Sequence, residues 1–420
     1  MNPFVFFAAG FRLITQTVVF AIRQMLGNKV QAFLTTLGII IGVWAIVTVI
    51  ASVGGLKNFV LEEVEKIGGS RKIVMWGTRP DELDDTLSWS EVKLQPSEAE
   101  MLRENASTID ELTMRADRDS TVRYGGEQVV GVKTVGIEPQ WHTIEKRYII
   151  EGRRFTVTDN EEQLPVALVN EAAIDEFRLK NRGIGEYIFV NDHRFLIVGV
   201  VETREASPIA GGGETEAEIY VPFKMMPRLF NRFWPRIVML MDSPDTADET
   251  EAEIRNLMRR QRQLPPEWPD TFDMFLLARE IQSFNAIAGA MTAGAGVLVG
   301  ISLLVGGVGI MNIMLVSVSE RTREIGLRKA VGAQPAVILT QFLVEAVMLC
   351  VMGGIIGLVI GQASTLIISY IPNVPLGETA IPNWAIVLSI GFSATVGIVF
   401  GMWPAVKASR LDPIEALRHE

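Results

Sequence analysis

Charged side chains are missing from four long intervals of the chain, residues 30–56, 281–319, 346–377 and 379–406. Each exceeds the roughly 20 residues an α-helix needs to cross about 30 Å of hydrocarbon, so the pattern predicts four membrane spans. The second interval has 39 residues, which at helical rise is about 58 Å, nearly twice the hydrocarbon thickness. Its first part, "IQSFNAIAGAMTAG", is milder and rich in small residues, which predicts a stalk projecting beyond the lipid. The following "GISLLVGGVGIMN" is dense in glycine and predicts a close neighbour or a flexing point.

Between the first two spans the period changes. "RKIVMWG" and "TFDMFLL" read as strands near the two ends of this segment. "TVRYGGEQVVGVKTVGI" and "EYIFVNDHRFLIVGVVE" read as strand pairs joined by Gly125-Gly126 and Asn191-Asp192, both two-residue hairpin signals. Asn170 can cap "EAAIDEF", and "DTADETEAEIRNLMRRQRQ" has helical composition ending at Pro265-Pro266. The expected architecture is an α-helical four-span transmembrane bundle with a large α+β extracytoplasmic domain inserted between spans 1 and 2. Two lobes are expected in that domain, one inserted at about 119–215. The expected segments are an amphipathic N-terminal stretch (1–29), a first span (30–56), the α+β domain (57–283) and a second span with its stalk (284–319). A cytoplasmic elbow (320–335), a third span (336–371), a short outer loop (372–382), a fourth span (383–406) and a tail (407–420) follow.

Charge gives the topology a direction. Residues 57–280 carry 42 acidic and 29 basic side chains, a net of −13 that marks a water-exposed domain and disfavours nucleic acid as a partner. Residues 1–56 hold Arg12, Arg23 and Lys29 and no acid, the elbow holds Arg321, Arg323, Arg328 and Lys329, and the tail holds Lys407, Arg410 and Arg418. The excess of Lys and Arg in short segments places both termini and the elbow in the cytoplasm and the acidic domain outside. Trp384 and Trp403 lie 19 residues apart, about 28 Å on one helix, as two interfacial anchors would. Residues 4–26 read as an amphipathic helix along the inner leaflet. The first span reads as an uncleaved anchor, since no small-residue cleavage pattern follows it.

Every span contains glycines at spacing four: Gly38/Gly42, Gly296/Gly300, Gly353/Gly357/Gly361 and Gly397/Gly401. Such pairs let helix backbones approach in lipid, either within one bundle or at a homodimer face. Candidate chemistry changes little. Cys350 is the single cysteine, which rules out an intramolecular disulfide. No GxxxxGK[ST] occurs, so phosphate-loop nucleotide hydrolysis is not expected of this chain. His142, His193 and His419 lie far apart without HExxH and are expected at the surface. No catalytic group and no metal site are expected. Glu345 falls inside the third helix, where its plainer role is to pair with the basic elbow.

The elbow itself packs six charges into residues 320–329. A basic side chain at a bilayer centre costs roughly 2.5 to 3.5 kcal/mol, so this segment must emerge from the lipid. Glu324 and Arg328 stand at i,i+4 with the acid first, Glu320 is placed to reach Arg323, and Gly326 and Gly332 loosen the short helix before Pro335.

"GISLLVGGVGIMNIMLVSVSERTREIGLRKAVGA" resembles the signature of the macrolide-exporter (MacB-like) and FtsX-like permeases of ATP-binding-cassette transporters. "NKVQAFLTTLGIIIGVWAIV", "EGRRFTVTDNEEQLPVALVNEAAIDEF", "VNDHRFLIVGVVE", "QFLVEAVML" and "WPAVKASRLDPIEALR" extend the likeness over nearly the whole chain. The resemblance implies that the elbow docks on the ATPase through Glu320, Arg321, Arg323, Glu324, Ile325, Gly326, Arg328, Lys329, Ala330 and Gly332. Only about 29 residues precede the first span, so it further implies a separate ATPase subunit. Two copies of that subunit would stand beside two permeases, with ATP and magnesium bound there and no cofactor bound by this chain. A periplasmic adaptor or envelope protein is the further partner implied, in a bacterial cytoplasmic membrane. The implied function is export or efflux by mechanotransmission; the alternative is FtsX-like signalling to an envelope partner such as a cell-wall hydrolase.

Overall fold

The structure, a computed structural model, describes residues 29–83, 87–203, 216–370 and 381–418. The expected N-terminal amphipathic helix, most of the outer loop at 372–382 and His419 lie outside the described residues. The helices of six or more residues are α1 (Lys29–Lys66), α2 (Pro96–Asn105), α3 (Glu171–Phe177), α4 (Ala247–Gln261), α5 (Leu277–Glu320), α6 (Thr322–Ala330), α7 (Pro335–Ser369), α8 (Asn383–Ser409) and α9 (Pro413–Arg418). Four of them, α1, α5, α7 and α8, are long and apolar enough to cross a membrane. The chain divides into two compact units, one built from residues up to Phe59 and from Asn285 onward, the other spanning Val60–Phe284.

The second unit is organised by a mixed sheet of ten strands: β1 (Lys72–Gly77), β2 (Ile109–Tyr124), β3 (Glu127–Ile137), β4 (Ile149–Gly152), β5 (Val166–Asn170), β6 (Tyr187–Val190), β7 (His193–Val201), β8 (Glu218–Pro222), β9 (Pro235–Met241) and β10 (Phe272–Leu276). Their order is β10-β1-β9-β2-β3-β8-β5-β7-β4, with β6 bridging β2 and β7. Gly125 and Gly126 both take positive φ, as do Asn191 and Asp192, which is the backbone that two-residue hairpins require. The strands β4 to β7 come from the segment expected as an insertion, and β2 is long enough to serve both parts. It pairs with β9 through Ala116 and with β6 at Val122 and Arg123. Asn170 caps α3, its side-chain oxygen accepting from the Ala173 amide at 2.9 Å.

One surface expectation is corrected here. His142 is only 7% exposed, because the short helix Trp141–Ile144 lies over the sheet and packs Trp141 against Tyr220. His193 is exposed, as expected. Burial lowers the His142 pKa, the hydrogen bond between Nδ1 and the Arg147 carbonyl at 3.0 Å opposes it, and the charges of Arg154 and Arg147 add to the lowering. A base whose pKa is lowered by folding binds fewer protons in the folded state than in the unfolded chain around that pKa. Its contribution to stability is therefore complete above the unfolded pKa of about 6.5 and is lost as pH falls below it. Denaturation midpoints taken across that window should fall with pH in the parent and fall less in His142→Gln.

In the other unit, glycines set the helix contacts. A Cβ on Gly38 would lie 2.7 Å from the Gly306 Cα, and one on Gly42 would lie 3.2 Å from Leu303, so α1 and α5 touch nearly backbone to backbone. Gly353, Gly357 and Gly361 face α1, while Gly354 faces Ser393 on α8. Gly397 and Gly401 press on Val347 and Ala346 of α7. Gly296 and Gly300 meet nothing within 4 Å among the described residues. The packed series on α5 runs from Val299 through Leu303, Ile310, Met314 and Val318, and Gly306 and Gly307 meet Gly38 and Phe400, the close neighbours expected of the glycine-dense stretch.

Candidate coupling site

The elbow is built from a one-residue break. Arg321 leaves helical geometry at φ −106°, ψ 14°, and the hydroxyl of Thr322 donates back to the carbonyls of Val318 and Ser319 at 3.1 and 2.8 Å. The direction of the chain thus changes without leaving α5's last turn unsatisfied. At the far end of α6, Gly332 takes φ +103°. The amides of Ala333 and Gly332 donate to the carbonyls of Arg328 and Lys329, both at 3.0 Å. That is a Schellman cap, and its left-handed position explains the glycine.

The motif residues separate into two faces. Ile325 is buried in the apolar cluster of the helical unit, and Gly326 is buried against α9, where a Cβ on it would sit 2.6 Å from that of Ala416. Lys329 donates through Nζ to the carbonyls of Ser409 and Leu411 at 2.9 and 2.6 Å, closing the C-terminal end of α8. Arg328 bridges Glu324 at 2.5 Å and Gln341 at 2.8 Å. Arg321 approaches Glu345 at 3.6 Å, so the carboxylate within α7 does pair with the elbow. These residues fix α6 to α7, α8 and α9.

The opposite face is open. Glu320, Arg323, Glu324 and Ala330 are exposed, as are Leu327 at 53% and Val331 at 83%. Glu320 and Arg323 form no ion pair among the described residues, contrary to the sequence expectation, since the break at Arg321 removes the regular helix that would align them. Leu327 and Val331 were missed in the sequence; their signal was apolar character next to charge, which any short helix shares.

Two further ion-pair clusters lie in the sheet unit, where α1 and α5 join it. Lys146 pairs with Glu65 near the end of α1, and Lys72 donates to the Ile67 carbonyl at 2.9 Å and to Glu145 at 2.7 Å. Arg279, in the first turn of α5, pairs with Asp248 at 2.8 Å and Glu251 at 2.5 Å, both on α4. The parts of α1 and α5 that belong to the sheet unit are thus held within it by charge.

Four candidate spans, a mixed-sheet domain between the first two, and an elbow anchored on one face and exposed on the other are the layout of a multi-span membrane permease. A family model described as the MacB-like periplasmic core domain matches residues 32–257, and one described as the FtsX-like permease C-terminal matches residues 296–413. The chain belongs to the MacB/FtsX-like family of ABC transporter permeases. It is similar to an uncharacterised ABC transporter permease, YknZ, of Bacillus subtilis, at 30% identity over 97% of this chain and 100% of that one. It is also 33% identical to a macrolide export ATP-binding/permease protein, MacB, of Bdellovibrio bacteriovorus, covering 95% of this chain but 61% of that relative's length. The crystal structure of the periplasmic region of MacB from Actinobacillus actinomycetemcomitans aligns with 54% of this chain and 97% of its own, at 16% identity and a TM-score of 0.42.

Proposed function

We propose that this permease converts nucleotide turnover on a separate ATPase subunit into motion of its extracytoplasmic domain, for export or efflux of a substrate. Two ATPase copies would act on two permeases in a bacterial cytoplasmic membrane, with the elbow and both termini on the cytoplasmic side, as the distribution of Lys and Arg favours. ATP and magnesium belong to the partner, and this chain supplies no catalytic group. The reading rests on one observation: the elbow is anchored to three helices through Arg321, Ile325, Gly326, Arg328 and Lys329, yet leaves Glu320, Arg323 and Glu324 facing outward. A push on such a rigid elbow passes into α5, which has 44 residues in one unbroken helix and extends about 66 Å. An adaptor or envelope protein bound to the outer domain would receive the motion.

Charge reversal on the outward face tests the reading. Arg323→Glu and Glu324→Arg should each lower stimulation of the co-purified ATPase by about tenfold or more while membrane insertion and melting stay near the parent's. This corresponds to losing one or two charge-assisted contacts. Unchanged stimulation in reconstituted complexes would remove the elbow from the mechanism.

A further inference from the structure

A cavity of about 790 Å³ opens in the sheet unit, between the end of β1, the start of β9 and the single-turn helix Trp89–Val92. Its volume falls within the range of small-molecule sites. The walls are aromatic. Trp89 and Trp234 meet edge to face at 5.4 Å and 72°, yet remain 48% and 41% exposed. Trp76 pairs with Arg236 across β1 and β9, and Val74 with Phe275 across β1 and β10, so Trp76, Arg236 and Phe275 share one face of the sheet. Gly77 brings this edge close to the helix: a Cβ there would lie 2.0 Å from the Val92 carbonyl oxygen. The backbone contact holds the Trp89 wall against the strand end.

Charge decides what the cavity can take. Its two charged lining residues, Lys93 and Arg236, are both cationic, in a segment whose net charge is −13. Arg236 has one loose partner, Asp117 at 3.9 Å. Lys93 pairs with no carboxylate among the described residues; its Nζ lies 3.6 Å from the centre of the Phe233 ring. Partial burial lowers its pKa. An ammonium with three donors and a ring face for company is poised for an anion. Asp273 stands opposite Trp76 on the same face, but the residues lining the cavity itself favour an anion over a cation, and a neutral sugar stacking on the tryptophans would leave both cations unused.

We propose that this cavity binds an anionic amphiphile, its carboxylate or phosphate on Lys93 and Arg236 and its apolar body against Trp76, Trp89, Trp234 and Phe275. Binding is independent of the elbow and of any ATPase. Dansyl-undecanoate is the probe, added to the full chain in nanodiscs of zwitterionic lipid and read by tryptophan-to-dansyl energy transfer. The expected result is saturable transfer that Lys93→Gln weakens by about tenfold and Lys93→Arg restores. The uncharged amide of the probe should bind weakly and equally to parent and Lys93→Gln. Competition by decanoate and by a short-chain phosphatidic acid separates the two sources of such an anion, a free fatty acid or a phospholipid headgroup, by which displaces the probe at lower concentration. Non-saturable transfer, or equal affinity of parent and Lys93→Gln with both retaining the parent circular dichroism spectrum, would overturn the proposal.

Discussion

Glu145→Ala is expected to lower the stability of the sheet unit by about 3–5 kcal/mol, the usual cost of stranding a buried charge. Glu145 is 1% exposed and Lys72 8%. The carboxylate lies 2.7 Å from the Lys72 ammonium and 3.8 Å from the guanidinium of Arg115. Arg115 is half-buried, and against the cost of desolvation its charged form is favoured by Glu145 first among the surrounding acids. Removing the carboxylate leaves two cations facing each other in a medium that screens them poorly. The same change loosens the tie between the end of α1 and the sheet, since Lys72 also holds the Ile67 carbonyl. Guanidinium denaturation followed by tryptophan fluorescence should show the large shift for Glu145→Ala. A much smaller one is expected for Glu65→Ala, whose partner Lys146 is a solvent-exposed lysine. Equal shifts would mean that burial of the pair is irrelevant.

Gly357→Leu should be the most damaging change in the helical bundle. A Cβ at this position lies 2.7 Å from the Ile40 carbonyl oxygen, 3.0 Å from the Val43 Cβ and 3.2 Å from the Trp44 amide nitrogen. Two of those three atoms are backbone, so no side-chain rotation relieves the clash and α1 must part from α7. Overpacking of this kind costs at least about 1–3 kcal/mol. It also opens the contacts that Gly353 and Gly361 make one turn to either side. Unfolding in mixed detergent micelles should be markedly faster for Gly357→Leu. Gly300→Leu, at a site with nothing within 4 Å, should unfold at the parent rate. A slow Gly357→Leu variant would refute close packing of α1 on α7.

How much of this was readable from the chain differs by scale. The spans were legible because lipid excludes charge, and the hairpins because Gly125-Gly126 and Asn191-Asp192 sit where φ must be positive. The elbow stood out as charge beside a long apolar run. Which of its residues point outward was not legible, because that depends on α9, whose Ala416 meets Gly326 across 90 positions. Glycine spacing in α5 named Gly296 and Gly300, but an apolar helix in lipid carries no polar face to tell which side its neighbours occupy. Among the described residues the close contacts are made by Gly306 and Gly307, inside the glycine-dense stretch where a near neighbour was expected. The pairing of Lys72 with Glu145, 73 residues apart, has no local signature at all. His142 went astray for a related reason: what hides it is the sheet face beneath the short helix, assembled from distant strands.

Lys329 grips the last carbonyls of α8 and the start of the segment leading into α9. The end of the fourth span and the elbow therefore share one set of bonds. On the mechanism proposed above, a fluorophore attached to the tail would report displacement of the elbow while leaving its charged surface untouched.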